Sequence, residues 1–273
     1  MAHGLLAAGS VMPRLHTEVV GVGRPRFVFL HGLFGRGRNW TQVAADLAAT
    51  DLPSVLVDLP DHGQSSWTTA FDYTAIADLV AETIGERLGS AARLIVVGHS
   101  LGGKVAMLLA LRHPHLVSGL GVIDISPADS EAVTSFVPLI DAMRSLDLAT
   151  LHHRADADAA LAGRVPDAAV RGFLLQNLRR RPRWHWQLNL DLLGSSLASI
   201  RAWPDPGPLT YPGPVFWLSG EGSSYVLPEH EEAMQEHFPT VRRIVVPDAG
   251  HWVQADNPTA VVAALRELAA VAR

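Results

Sequence analysis

Apolar residues along this chain follow two alternating rhythms. Short unbroken runs occur at Arg26–Leu30 (RFVFL), Ser54–Val57 (SVLV), Leu94–Val97 (LIVV) and Leu120–Ile123 (LGVI). Two more lie late in the chain, at Val215–Ser219 (VFWLS) and Arg242–Val246 (RRIVV). Runs of this kind, β-branched and mostly without polar alternation, are expected as strands covered on both faces. The more mixed Leu15–Gly21 (LHTEVVG) suits an edge strand. Between these runs, stretches near Tyr73–Leu88, Leu101–His113, Pro228–His237 and Pro258–Val271 carry apolar residues three and four apart. That is the spacing of helices with one face on a core. Strands alternating with helices predict an α/β fold with a mostly parallel central sheet flanked by helices.

The rhythm breaks from about Asp129 to Pro214. Helical patterns persist there, at Val133–Leu146 and Asp167–Leu178, without a convincing strand, and the Pro/Gly-rich WPDPGPLTYPGP leads back to the sheet. The expected organisation is therefore a core of residues 14–128 and 214–273 carrying a helical cap insertion at 129–213. Residues 1–13 are expected to be a disordered extension.

Composition narrows the chemistry. Of 273 residues, 48% are hydrophobic and 18% charged, enough apolar surface for a buried core. A net charge of −5 offers no basic footprint for nucleic acid, and RRRPRWHW (Arg179–Trp186) reads as a solvated surface. No run approaches the roughly 18 apolar residues of a membrane span. The opening MAHGLLAAGSV lacks the basic start of a secretory signal, so a cytoplasmic location is expected. With no cysteine, a thiol nucleophile, thiolate metal sites and disulfides are excluded. HHRADAD (His152–Asp158) lacks metal-site geometry and GVGRP (Gly21–Pro25) is too short for a dinucleotide loop; no cofactor and no metal are expected.

One stretch carries chemistry by its placement. Gly98-His99-Ser100-Leu101-Gly102 fits G-x-S-x-G between a strand and a helix. Small neighbours let strand and helix approach, so that Ser100 sits on a tight turn with its hydroxyl in a cleft. The Leu101 N–H then lies at a helix N-terminus, where negative charge is favoured. A serine hydroxyl needs a base. Among the 13 histidines, His251 in PDAGHWVQ follows the last strand and precedes the final helix, in the chain order Ser…Asp…His. The acid stays open between Asp124, at the end of the strand in VIDISP, and Glu221, the only carboxylate in GEGSSYV, with Asp191 a weaker third.

HGLFGRGRNW (His31–Trp40), DLPDHGQS (Asp58–Ser65), GHSLGGKVAM, VIDISP, FLLQNL (Phe173–Leu178), WQLNL (Trp186–Leu190), YPGP and AGHW occur in this order. Together they resemble the α/β-hydrolase fold superfamily, and more narrowly its YbfF-type esterases, from about Arg26 to Ala269. One departure is DLPDHGQS, where that group more often has Arg-Asn before His-Gly. The resemblance implies cofactor-free hydrolysis of carboxylic esters beneath a helical cap, Asp124 as the acid, and the Leu33 N–H as the second oxyanion donor. Phe34, Phe136, Met143, Phe173, Leu174, Trp186, Tyr225 and Trp252 are candidates to line an apolar pocket for a small-molecule acyl ester.

The expected function is a serine carboxylesterase or thioesterase acting on small to medium acyl groups through an acyl-enzyme. Carbon–carbon bond hydrolysis, a MenH-like lyase reaction, cofactor-free haloperoxidase chemistry and a non-catalytic receptor of the same fold are the alternatives.

Overall fold

The computed structural model describes residues 13–89 and 91–272, so the expected N-terminal extension lies, apart from Pro13, outside the described residues. Seven strands form one sheet: β1 (Thr17–Val20), β2 (Phe27–Leu30), β3 (Ser54–Val57), β4 (Leu94–His99), β5 (Val117–Ile123), β8 (Val215–Gly220) and β9 (Val241–Val246). Their order across the sheet is β1-β3-β2-β4-β5-β8-β9. Only β1 runs antiparallel, paired with β3 at one edge. The mostly parallel α/β architecture read from the chain is therefore the observed one. Strands β2, β3, β4, β5 and β8 are buried at every position, as their unbroken apolar runs require. Edge strands β1 and β9 are mixed.

Helices α1 (Thr41–Ala48), α2 (Tyr73–Leu88), α3 (Leu101–Arg112), α9 (Glu231–His237), α10 (Val253–Asp256) and α11 (Pro258–Val271) accompany the sheet. Of these, α3 is buried from Leu101 to Leu111, fitting a helix apolar nearly all round. Helix α1 has only eight residues, with Val43, Ala44 and Leu47 inward, too short to stand out by periodicity.

Between β5 and β8 lies the insertion, with helices α4 (Val137–Arg144), α5 (Arg154–Leu161), α6 (Ala168–Leu175), α7 (Leu190–Ser195) and α8 (Leu197–Arg201). It is not wholly helical. A hairpin of β6 (Leu178–Arg179) and β7 (His185–Trp186) occupies the RRRPRWHW region. Two residues per strand give no readable alternation, which hid it in the sequence. Lys104, the chain's only lysine, ties the insertion to α3: its buried Nζ donates to the carbonyls of Arg201 at 2.6 Å and Ala202 at 2.9 Å. Burial lowers this ammonium from 10.5 to about 7.

Register sets what meets at the carboxyl edge of the sheet. Leu30 pairs with Gly98, His99 with Ile123, and Ile123 with Leu218. The segments following β2, β4, β5 and β8 therefore leave the sheet side by side. The chain steps outward from β2 to β3 and returns to β4 on the other side of β2. That reversal is where open α/β sheets gather ligands.

Candidate active site

Ser100 follows β4 with φ +52° and ψ −119°, a conformation costing a non-glycine residue on the order of 1–3 kcal/mol. Two glycines permit it. A Cβ on Gly98 would lie 2.0 Å from the Gly102 oxygen, and one on Gly102 would lie 2.5 Å from the His31 oxygen. The Ser100 N–H donates to Ile123 O at 3.0 Å, pinning the turn to β5. The Ser100 side chain borders a cleft of about 330 Å³ together with His31, Leu33, Phe136, Phe173, His251 and Trp252.

His251 arrives from the loop after β9, as its position in the chain predicts. Its Nδ1 lies 2.8 Å from Oδ2 of Asp124, which is fully buried. Asp124 sits directly after β5 with φ +51°. Its carboxylate also accepts the Gly220 N–H at 3.0 Å and the Ser223 hydroxyl. Because the carboxylate accepts, Nδ1 carries the proton and Nε2 keeps its lone pair. Tyr225 stacks on the His251 ring, with centroids 3.6 Å apart and planes 15° apart. His99 Nε2 lies 2.7 Å from the His251 carbonyl, and burial holds the His99 imidazole well below its usual value. His99 is therefore a neutral donor to the histidine loop. Glu221 is exposed to solvent, as is Asp191, which pairs with Arg144 in the insertion.

The Leu33 N–H and the Leu101 N–H, both beside Ser100, have no acceptor among the described residues. Leu101 opens α3, where no intrahelical acceptor exists. Leu33 precedes Phe34, whose φ of +60° makes the turn of HGLFG. Two buried histidines shape that turn. His62 gives its Nδ1 proton to Pro60 O at 2.8 Å, leaving Nε2 to accept the Phe34 N–H at 3.2 Å. His31 gives its Nδ1 proton to Gly32 O at 2.8 Å and accepts the Leu59 N–H at 2.9 Å. Desolvation keeps both neutral, lowering His31 from 6.5 to about 3 and His62 below its usual value. Asp58 accepts the Gly37 N–H at 2.7 Å and the Gln64 N–H at 2.9 Å, a scaffolding role.

The apolar candidates divide. Leu33, Phe136, Phe173 and Trp252 border the cleft, and Phe173 packs on Trp252 with centroids 5.6 Å apart. Phe34, Met143, Leu174 and Trp186 do not; they are packed into the core, Phe34 against the edge of Phe136. Tyr225 belongs to the histidine rather than to the cleft wall. An apolar residue of the insertion fits a core as well as a pocket, so sequence alone did not separate them. A second cavity, of about 240 Å³, borders Ser100, Leu33 and Leu101 and reaches Tyr73 and Lys104. A wider outer groove, of about 830 Å³, shares Phe173, Trp252, Asn39 and Gln254 with the cleft. Sequence reasoning missed His99 and Asn177 as partners of the site. FLLQNL marked the position of Asn177 but not its contact.

Among the described residues no three His, Asp or Glu side chains gather as a metal site, and no helix is long and apolar enough to cross a membrane.

Comparison with known proteins points to the same fold. Residues 25–258 match the family model for the alpha/beta hydrolase fold. The sn-1-specific diacylglycerol lipase ABHD11 of Mus musculus is 38% identical over 240 residues, covering 86% of this chain and 77% of that protein. Esterase YbfF of Escherichia coli (strain K12) is 30% identical over 239 residues, covering 88% and 91%. A solved structure described as a marine microorganism esterase superposes with a TM-score of 0.89 at 28% identity, covering 94% of this chain and 99% of that one.

Proposed function

This chain belongs to the α/β-hydrolase fold family, and from that premise we propose that it is a serine hydrolase cleaving carboxylic esters through an acyl-enzyme. The observation that carries the reading is that Ser100 and Leu33 border both of two cavities, one lined by the lone-pair-bearing imidazole of His251 and the other by Leu101, with the Leu33 and Leu101 N–H groups unclaimed.

In this reading His251 Nε2 takes the Ser100 proton as Oγ attacks the ester carbonyl. Asp124 holds the imidazole in the tautomer that can accept, and stabilises the imidazolium that forms. The oxyanion is received by the Leu33 and Leu101 N–H groups. Collapse of the tetrahedral intermediate releases the alcohol, which takes the proton from His251. Water then repeats the sequence and frees the acid. The Ser100 hydroxyl has no side-chain hydrogen bond among the described residues, consistent with a contact that tightens when substrate fills the cleft. Leu33, Phe136 and Phe173 beside Ser100 offer apolar surface to an acyl group, and the outer groove shares Phe173 and Trp252 with the cleft, leaving a way out for the rest of the substrate.

The test is turnover of p-nitrophenyl acetate and butyrate by the wild type and by Ser100→Ala. Hydrolysis that disappears in Ser100→Ala, with fluorophosphonate labelling lost in parallel, supports the reading. A wild type that neither hydrolyses nor labels contradicts it.

A further inference from the structure

Phe34 is gripped on both sides of its backbone. Its N–H goes to His62 Nε2 at 3.2 Å, and its carbonyl accepts Nδ2 of Asn177, from the insertion, at 2.7 Å. The circuit closes through the hairpin: the Gln187 N–H donates to Asn177 O at 2.8 Å, and the Gly63 N–H donates to Gln187 O at 2.9 Å. The turn holding the Leu33 N–H is thus built from three separated segments of chain.

We propose that Asn177 is a positioning residue for the oxyanion hole, fixing the left-handed turn at Phe34 so that the Leu33 N–H points at the site beside Ser100. The proposal rests on the serine-hydrolase reading. Asn177 is fully buried, and its Nδ2 reaches the carbonyls of both Phe34 and Leu174, so its amide has one workable orientation. That orientation leaves its Oδ1 without a partner. A leucine here would leave the buried Phe34 carbonyl without its donor, so what the amide supplies that an apolar side chain does not is a hold on that carbonyl. It also makes the hairpin of the insertion part of the catalytic frame.

The experiment compares wild type with Asn177→Leu, which keeps the volume, and Asn177→Ala, which adds no bulk. Thermal melting is recorded for each. The expected result is a folded Asn177→Leu whose kcat falls roughly 10- to 100-fold, as for a displaced oxyanion donor, with KM within about threefold. Inhibition by an alkyl trifluoromethyl ketone, which forms a tetrahedral oxyanion on serine, should weaken by the same factor. An unchanged kcat in both folded variants would overturn the proposal. So would a rise in KM alone, or a kcat loss with unaltered ketone affinity. A wild type that ignores the ketone would overturn the serine-hydrolase reading itself, whatever the Asn177 variants do.

Discussion

Asp124→Asn is the substitution whose outcome the geometry constrains most tightly. The carboxylate accepts three donors, Gly220 N–H and Ser223 O–H as well as His251 Nδ1–H. An amide has only one acceptor oxygen. If that oxygen keeps the fixed backbone donor of Gly220, the amide nitrogen must face Ser223 and His251. The Ser223 hydroxyl can rotate to accept, but the imidazole can accept at Nδ1 only by moving its proton to Nε2, which leaves no lone pair for Ser100. In a serine protease triad the same wrong tautomer lowers kcat about 10⁴-fold. Here, with the ring also held by Tyr225, the expected loss is about 10³- to 10⁴-fold, equivalent to about 4–5.5 kcal/mol of activation free energy. The assay is kcat on p-nitrophenyl butyrate with Glu221→Gln measured in parallel. Spectra of ¹⁵N-labelled histidine would report which ring nitrogen carries the proton. Glu221 is exposed, and its variant should stay within about twofold of wild type. Asp124→Asn retaining more than a tenth of wild-type kcat would refute the reasoning, as would a larger loss in Glu221→Gln.

Tyr225 should favour the imidazolium through the face of its ring. Tyr225→Leu is expected to lower kcat about fivefold, or about 1 kcal/mol, and Tyr225→Phe to restore it; equal losses in both would point to the hydroxyl instead. Stability should fall in acid before most carboxylates titrate. His31, His62 and His99 are held neutral by burial, so the unfolded chain binds their protons more readily than the folded one. Their contribution is complete above the unfolded value of 6.5 and is lost as pH drops toward the folded values. The expected slope approaches about 1.4 kcal/mol per pH unit for each such histidine. Denaturant melts at pH 6.5, 5.5 and 4.5 read it, and a flat profile over that window would contradict the neutral assignments.

What the chain revealed in advance follows from which interactions are local. The buried strands carry their own signal, because a run such as RFVFL has no polar side to turn outward. Ser100 is legible because a strand, two small residues and a helix are written consecutively. The choice between Asp124 and Glu221 is not local. Their strands are hydrogen-bonded neighbours, and it is the backbone at Asp124, at φ +51°, that brings its carboxylate beneath the Gly220 N–H. The hairpin of β6 and β7 escaped because two residues per strand have no period to read. Met143, Leu174 and Trp186 are pocket candidates in the sequence only by being apolar and lying in the insertion; which way such residues face is decided by packing across the whole segment.

The central claim is a covalent acyl group on Ser100. Rapid quenching of the enzyme with p-nitrophenyl butyrate, followed by peptide mass spectrometry, tests it directly. The account predicts a butyryl adduct on the peptide carrying Ser100, appearing with the burst of nitrophenol and absent in Ser100→Ala. Steady turnover in Ser100→Ala, or an adduct on another residue, would contradict it.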